Sequence, residues 1–332
     1  MLSILLLVLN FVNPLPAVNY PAGYNFVDGR AVSVIKFTRY RNLIVVPAQL
    51  NDTTKLNLIL DTGIRTLILF SKKSEKLSNL HKGKKLKVSG RGVLESVECD
   101  LSFPNQIRLG DVIGTGIAAA VVTNNELAEE APGIDGIIGY ELFVRFCIRI
   151  DYLSNTITLF NEVPRDAFEE FSSMDLNLKN LRPEIAMTLR FSKKRKLNVN
   201  ALIDTGSSFE LLVYDSKRDK FGYSSESVRI GTGLAGSVFG YSLGNIQFQL
   251  GDSDHFNADF NLVLYRNKKS DDATASIGGG FLKNYVVMFD YPHSRFYIKP
   301  NKEGKRVVNP TYWYSQSNQS RTPLTAAYFR EP

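Results

Sequence analysis

Short apolar runs separated by polar turns dominate this chain, and two of those runs end in the same three residues. Leu43-Ile44-Val45-Val46 and the run Leu56 to Leu60 flank the polar Asn51-Asp52-Thr53-Thr54, the pattern of a hairpin. Glu184 to Phe191 and Leu197 to Ile203 flank Ser192-Lys193-Lys194-Arg195 in the same way. The second arm of each hairpin then meets an acidic turn: Leu58-Ile59-Leu60-Asp61-Thr62-Gly63 and Ala201-Leu202-Ile203-Asp204-Thr205-Gly206. An apolar run breaking into such a turn reads as a buried strand with a tight end. One copy carries little weight, because acidic-Gly turns are common on surfaces. Two copies, each delivered by a hairpin, point to duplication.

Further matches follow in the same order. Ser89-Gly90-Arg91-Gly92 aligns with Ile230-Gly231-Thr232-Gly233, and Leu109-Gly110-Asp111 with Leu250-Gly251-Asp252. Ile138-Gly139 aligns with Ile277-Gly278, and Ile150-Asp151-Tyr152 with Phe289-Asp290-Tyr291. The spacing between copies drifts by only a few residues, so the chain reads as one domain-sized unit used twice. The expected division is 1–19 as a leader or anchor, 24–165 as a first lobe, 166–183 as a linker poor in apolar periodicity, 184–300 as a second lobe and 301–332 as a polar tail. Helical periodicity is scarce. Ser71 to Leu80 and Asp215 to Phe221 are expected as turns or short helices.

The length of 332 residues suits two ordinary domains, and 44% apolar content suffices for their cores. The formal charge of +7 lies in separated short runs, among them Lys82 with Lys84, Lys85 and Lys87, and Lys193 to Lys196. These read as solvated hairpin tips rather than a nucleic-acid surface. The two cysteines, Cys99 and Cys147, lack metal-ligand spacing and are equally compatible with a disulfide or two separate thiols. Leu2 to Val12 is almost continuously apolar, the length of a leader core and short for a membrane span. The expectation is an exported protein, periplasmic or secreted, with an uncleaved N-terminal anchor as the alternative and the only membrane contact. Met1 to Tyr40 is short for a leader plus pro-segment, so little zymogen control is expected.

The paired apolar-Asp-Thr-Gly motifs, each followed by an apolar-apolar-Gly motif, resemble those of the pepsin and retropepsin superfamily of aspartic proteases, in a short two-lobed form like the bacterial members. The resemblance runs from Arg30 to Lys299. It is closest at Ile277-Gly278-Gly279-Gly280-Phe281-Leu282 through Val287-Met288-Phe289-Asp290, and at Ile134-Asp135-Gly136-Ile137-Ile138-Gly139. It implies a mainly β fold of two pseudo-twofold-related β-barrel lobes, with a peptide or protein substrate in the cleft between them. The protein is expected to be a monomer without metal or cofactor.

The chemistry of such a pair follows from charge alone. Two carboxylates held close cannot both ionise, so they share a proton over a useful pH range; aspartic protease dyads are the standard example. The ionised member takes a proton from water and the protonated member donates to the scissile carbonyl oxygen. The resemblance assigns Asp61 and Asp204 as this pair, Thr62 and Thr205 as cross-lobe hydrogen-bonding residues, and Gly63 and Gly206 as points of close backbone approach. Ser207 is expected to hydrogen-bond the outer oxygen of Asp204, a role its counterpart Ile64 cannot fill. Ser89, Gly90, Arg91 and Gly92 in the first lobe, and Gly231, Thr232 and Gly233 in the second, are the candidates for substrate-covering flaps. No Tyr lies between Lys84 and Asp100, so the flaps look closer to a fused retropepsin dimer than to pepsin.

Other chemistries are poorly served. His81, His255 and His293 have no repeat logic, Ser207-Ser208 lacks a nucleophile-elbow context, and Gly278-Gly279-Gly280 lacks dinucleotide-loop spacing. Three readings remain. One is an aspartic endopeptidase. The second is a catalytically inactive peptide-binding protein that retains the fold. The third is an unrelated β-protein in which the repeated Asp-Thr-Gly loops are structural turns, against which the ordered downstream matches weigh.

Overall fold

The computed structural model describes residues 21–71, 77, 80–94, 96–123, 125–178, 181–192, 195–215, 227–253, 255–264 and 275–301. The leader-like run, the tail beyond 301, the segment 216–226, most of the segment from Ser71 to Leu80 and the basic pair Lys193-Lys194 lie outside them.

The described chain is mainly β, with four short α-helices. In the first half, β1 (Gly23–Phe26), β2 (Val32–Lys36), β3 (Thr38–Tyr40), β4 (Leu43–Leu50), β5 (Thr54–Leu60), β6 (Leu67–Ser71), β7 (Lys85–Ser89), β8 (Ser96–Leu109) and β9 (Val112–Thr123) lead to α1 (Glu126–Glu130). Then come β10 (Gly136–Ile138), α2 (Tyr140–Phe143), β11 (Cys147–Asp151), β12 (Thr156–Phe160), α3 (Asp166–Glu170) and β13 (Ser172–Asp175). The second half holds β14 (Glu184–Arg190), β15 (Lys196–Asp204), β16 (Leu211–Asp215), β17 (Val228–Gly233), β18 (Gly236–Leu250), β19 (His255–Leu264), β20 (Ala275–Gly278), α4 (Gly279–Leu282), β21 (Tyr285–Asp290) and β22 (Arg295–Pro300).

Two sheets share one set of pairings. In the first, β4–β5–β10–β6–β9–β8–β7 are successive neighbours, and β4 also pairs β8. In the second, β14–β15–β20–β16–β19–β18–β17 repeat that order strand for strand, and β14 also pairs β18. The hairpin β4–β5 forms where the sequence places it: Leu50 pairs Thr54, and Asn51 and Asp52 take the left-handed backbone that a tight turn needs. Lys55 and Asn57 face solvent while Leu56 and Leu58 are buried, the two-residue period of a strand covered on one face. The alternation then gives way to a fully buried Leu58-Ile59-Leu60.

A third sheet departs from the two-lobe division. Its order is β13–β22–β21–β11–β12–β2, with strands from both halves and from the segment between them. At its centre β11 pairs β21 antiparallel, Ile148 opposite Phe289 and Ile150 opposite Val287. These are the two strands that carry the repeated Asp-Tyr motif. Phe143 packs edge-on against Phe289 and stacks on Tyr291, tying the halves together through apolar contact. The segment 166–183, expected as a linker, is partly built into this sheet. It forms α3 and β13, because Phe171, Met174 and Leu176 supply buried side chains at near-alternate positions. Cys99 and Cys147 are free buried thiols in separate apolar clusters.

Candidate active site

Asp61 follows β5 and Asp204 closes β15, corresponding strands of the two matching sheets. The residues before each aspartate are at most 2% exposed. A strand apolar on both faces runs through the interior, so its end carries the acid inward rather than to the surface. β10 lies parallel to β5 and β20 parallel to β15, and the amide of Asp61 donates to the Ile138 carbonyl at 2.8 Å.

The two loops are bound to each other through their threonines, both fully buried. The Thr62 amide donates to the Thr205 hydroxyl at 3.1 Å, and the Thr205 amide donates to the Thr62 hydroxyl at 3.1 Å. The Thr62 hydroxyl in turn donates to the Ile203 carbonyl at 2.6 Å, and that of Thr205 to the Leu60 carbonyl at 2.8 Å. Each hydroxyl therefore gives one bond and receives one, and both reach across to the opposite strand. Such a closed, buried network is costly to break at any member.

The glycines complete the approach. The Gly63 amide donates to Asp61 Oδ1 at 2.6 Å, and the Gly206 amide to Asp204 Oδ1 at 3.1 Å. Each also faces the other acid: a β-carbon on Gly206 would fall 2.1 Å from the Asp61 Cγ, and one on Gly63 would fall 3.4 Å from an Asp204 carboxyl oxygen. Behind the loops, a β-carbon on Gly139 would fall 1.9 Å from the Asp61 carbonyl oxygen, and one on Gly278 would fall 2.4 Å from that of Phe209. Both positions admit only hydrogen.

Burial pushes the Asp61 carboxyl well above the usual range, and the neighbouring Asp204 charge adds to the rise against the Gly63 amide and the Arg182 charge. Burial also raises Asp204, but Arg91, the Gly206 amide and Arg182 oppose it. The guanidinium of Arg91 lies 4.0 Å from the centroid of the buried Tyr214 ring. The pair is thus asymmetric, with the added cation on the Asp204 side. Both carboxyls are therefore raised, by burial first, and each acts on the other.

The hairpin candidates also meet. Ser89, Gly90, Arg91 and Gly92 lie at the turn of β7–β8, and Gly231, Thr232 and Gly233 at the end of β17. The Ala235 amide donates to the Arg91 carbonyl at 2.8 Å, and the Leu94 amide to the Ala235 carbonyl at 3.0 Å. Ser207 behaves differently from expectation. Its buried hydroxyl makes no hydrogen bond, its Cβ faces Gly278, and its carbonyl receives the Gly279 amide at 2.7 Å. The residue serves the passing chain through its backbone, not the carboxyl through its side chain. Lys82, Lys84, Lys85 and Lys87 are solvent-exposed on and beside β7. His81 is exposed and His293 contacts Asp290 at 2.9 Å, while the side chain of His255 is outside the described residues.

Several residues at the site escape sequence reasoning. Arg182 sits in the segment read as a linker, and Tyr214 reads as one more core residue. Asn125, Glu126 and Glu130 of the first half contact the second-half hairpin with no local pattern to announce it. Among the described residues no group of three or more His, Cys, Asp or Glu side chains converges as metal ligands would.

Residues 46–142 match the family described as aspartyl protease. The match runs from β4 into α2 and contains Asp61 and Gly139, whereas Asp204 lies beyond it. No curated protein matches the sequence significantly.

Proposed function

We propose that this chain, which carries an aspartyl protease family domain, is an aspartic endopeptidase that uses Asp61 and Asp204 together. The observation that carries the reading is the reciprocal threonine bonding that sets two Asp-Thr-Gly loops face to face, with Gly206 against the Asp61 carboxyl. In this reading Asp204, with Arg91 near it, is the ionised member and takes a proton from the attacking water. Asp61, raised by burial and by its neighbour, donates to the scissile carbonyl oxygen. A tetrahedral diol forms and collapses without a covalent enzyme intermediate.

The two matching sheets are then duplicated barrel lobes. Supporting this, β4 bonds both β5 and β8, β14 bonds both β15 and β18, and the repeated strands β11 and β21 pair with each other. The substrate is a peptide lying between the lobes under the hairpins. The leader-like Leu2 to Val12 supports export as part of the same reading.

The test is cleavage of a denatured protein mixture from acid to neutral pH by wild type, Asp61→Asn and Asp204→Asn, with and without a statine-type inhibitor. Activity in wild type alone, blocked by the inhibitor, is the expected result. A folded wild type that binds the inhibitor and cuts nothing would move the protein to the peptide-binding reading.

A further inference from the structure

The two halves of the candidate site repeat each other in backbone but not in chemistry. In an antiparallel pair, residues directly opposite one another share a face of the sheet. The β4–β5 register pairs Val45 with Ile59. Carried two places further, it sets Leu43 opposite Asp61. The β14–β15 register pairs Glu184 with Leu202, and the Ile203 amide continues it by donating to the Pro183 carbonyl at 2.9 Å. The next place sets Arg182 opposite Asp204. One acid therefore has a buried leucine as its cross-strand neighbour and the other a partly exposed arginine.

The next strand but one differs in the same sense. Phe70 of β6 and Tyr214 of β16 are corresponding residues: β6 sets Ile68 opposite Ile137, β16 sets Leu212 opposite Ser276, and each aromatic follows two places on. Phe70 and Leu43 belong to one apolar cluster, and Leu234 of the second-half hairpin reaches across to join it. All three are at most 8% exposed. On the other side Tyr214 stands in an apolar cluster with Leu212, Ile230 and Val263. The residue that reaches across to it from the first-half hairpin is Arg91, whose guanidinium lies 4.0 Å from the ring centroid. Leucine, phenylalanine and leucine on the Asp61 side thus become arginine, tyrosine and arginine on the Asp204 side.

These charges bear on the acids themselves. Against the burial that raises both carboxyls, Arg182 lowers Asp61 and Asp204, and Arg91 lowers Asp204. In the protease reading the two acids share one proton and carry one negative charge, and two guanidinium groups act on it. A positive excess in a partly buried site favours an anion. Each guanidinium has five N–H donors in a planar fork, so it can keep its contacts within the protein and still take a carboxylate through two parallel bonds. The Asp61 side, built of Leu43, Phe70 and Leu234, favours apolar surface instead.

We infer that Arg182 and Arg91 are specificity-determining residues that bind an acidic side chain of the substrate beside the scissile bond, on the Asp204 side, so that the protein prefers peptides carrying Asp or Glu there. This rests on the protease reading for the bond that is cut; the preference for an acidic peptide is measurable without it.

Cut sites in a denatured protein mixture come first, with Asp and Glu expected in excess at one fixed position next to the cleaved bond. Two peptides built on a preferred site, identical except for Glu or Gln at that position, then measure the preference above about pH 5, where the glutamate is ionised. Wild type should cleave the Glu peptide with a kcat/KM about tenfold higher, the worth of one charge-assisted bond. Arg182→Gln should bring the ratio near one, Arg91→Gln should lower it, and Arg182→Lys should keep part of it. The ratio is taken within each variant, so incomplete folding cancels. Wild type that cuts both peptides equally, or a ratio unmoved in Arg182→Gln and Arg91→Gln, would overturn the inference and leave the protease reading standing; the second result would mean that the arginines only tune the acids. If folded wild type cuts nothing, the protease reading fails and fluorescence polarisation with random nonapeptide pools, Glu or Gln fixed at the centre, decides. Tighter binding of the Glu pool, lost in Arg182→Gln, would support the inference, and equal binding would overturn it.

Discussion

The backbone of Gly206 lies against the carboxyl group of Asp61, so closely that a β-carbon there would fall 2.1 Å from its Cγ and 2.2 Å from Oδ2. The two residues come from opposite halves of the chain, and their contact fixes how far apart the two carboxyls sit. Gly206→Ala must push the Asp61 carboxyl aside. A displacement of that order costs about 100-fold in rate, and the overpacking costs about 1–3 kcal/mol of stability. Steady-state cleavage rates and chemical denaturation measure the two effects. Gly83→Ala is the matched control, because its β-carbon would meet its nearest neighbour at an ordinary 3.4 Å; equal losses in both variants would discredit the packing argument.

The threonine bonds predict a stability effect separate from the chemistry. Thr205→Ala removes the donor to the Leu60 carbonyl and the acceptor for the Thr62 amide, leaving two buried polar groups unpaired. The expected cost is about 2–4 kcal/mol, while Thr205→Ser keeps the hydroxyl and should cost about 1 kcal/mol or less. The two hydroxyls make four distinct bonds, but all four hold the same pair of loops, so once one loop is loosened the second substitution has less to break and the double alanine variant should lose less than the sum of the singles. Urea midpoints of the four proteins give the answer, and strict additivity would mean that the two hydroxyls act independently.

Arg91 favours the ionised form of Asp204, so its removal has a signed effect on the pH profile. In Arg91→Gln the Asp204 pKa rises. If Asp204 is the base, the acid limb of the kcat/KM profile moves to higher pH, by about one unit for the loss of a close opposite charge. The rise at Asp61 is set first by burial and then by the Asp204 charge, so the basic limb should move less. A shift of the basic limb alone would reverse the roles of the two acids.

How much of this was legible in the sequence depended on whether a feature was local. The Asp-Thr-Gly loops, Gly139 and Gly278 could be found because each needs a fixed residue type at a fixed place on a strand end. The strand order of the two matching sheets could be inferred only as a repeat, and the repeat hid the third sheet. Strands β2, β11 and β12 lie within the expected first lobe, yet β11 pairs with β21 and so brings all three into one sheet with β22. Nothing in Val32–Lys36 distinguishes a partner in one sheet from a partner in another. Phe171, Met174 and Leu176 were too few to show a period, so an ordered strand looked like a linker. Arg182 and the α1–Arg229 network depend on tertiary proximity across about 100 residues of chain, which no local pattern encodes. At Ser207 the motif fixes the position but not the side-chain direction, which the chain passing at Gly278 sets.

Glu141, in the first turn of α2, has its carboxyl pushed up to about 7 by burial. In the unfolded chain the same group titrates near the ordinary glutamate value of about 4.3. Below that value both states are protonated and burial carries no charge penalty. As pH rises, the unfolded chain ionises first while the folded protein keeps the proton. Folded stability therefore falls between about 4.3 and about 7 and levels off above, where the folded state must hold a partly buried charge. Glu141→Gln should flatten that part of the curve, leaving the variant the more stable protein above pH 7 and close to wild type near pH 4. Asp61 and Asp204 are raised in the same sense and contribute equally to both proteins, so the comparison is the difference between the two melting-temperature curves. Curves that stay parallel from pH 4 to pH 8 would show that the Glu141 carboxyl titrates in the folded protein as it does in water.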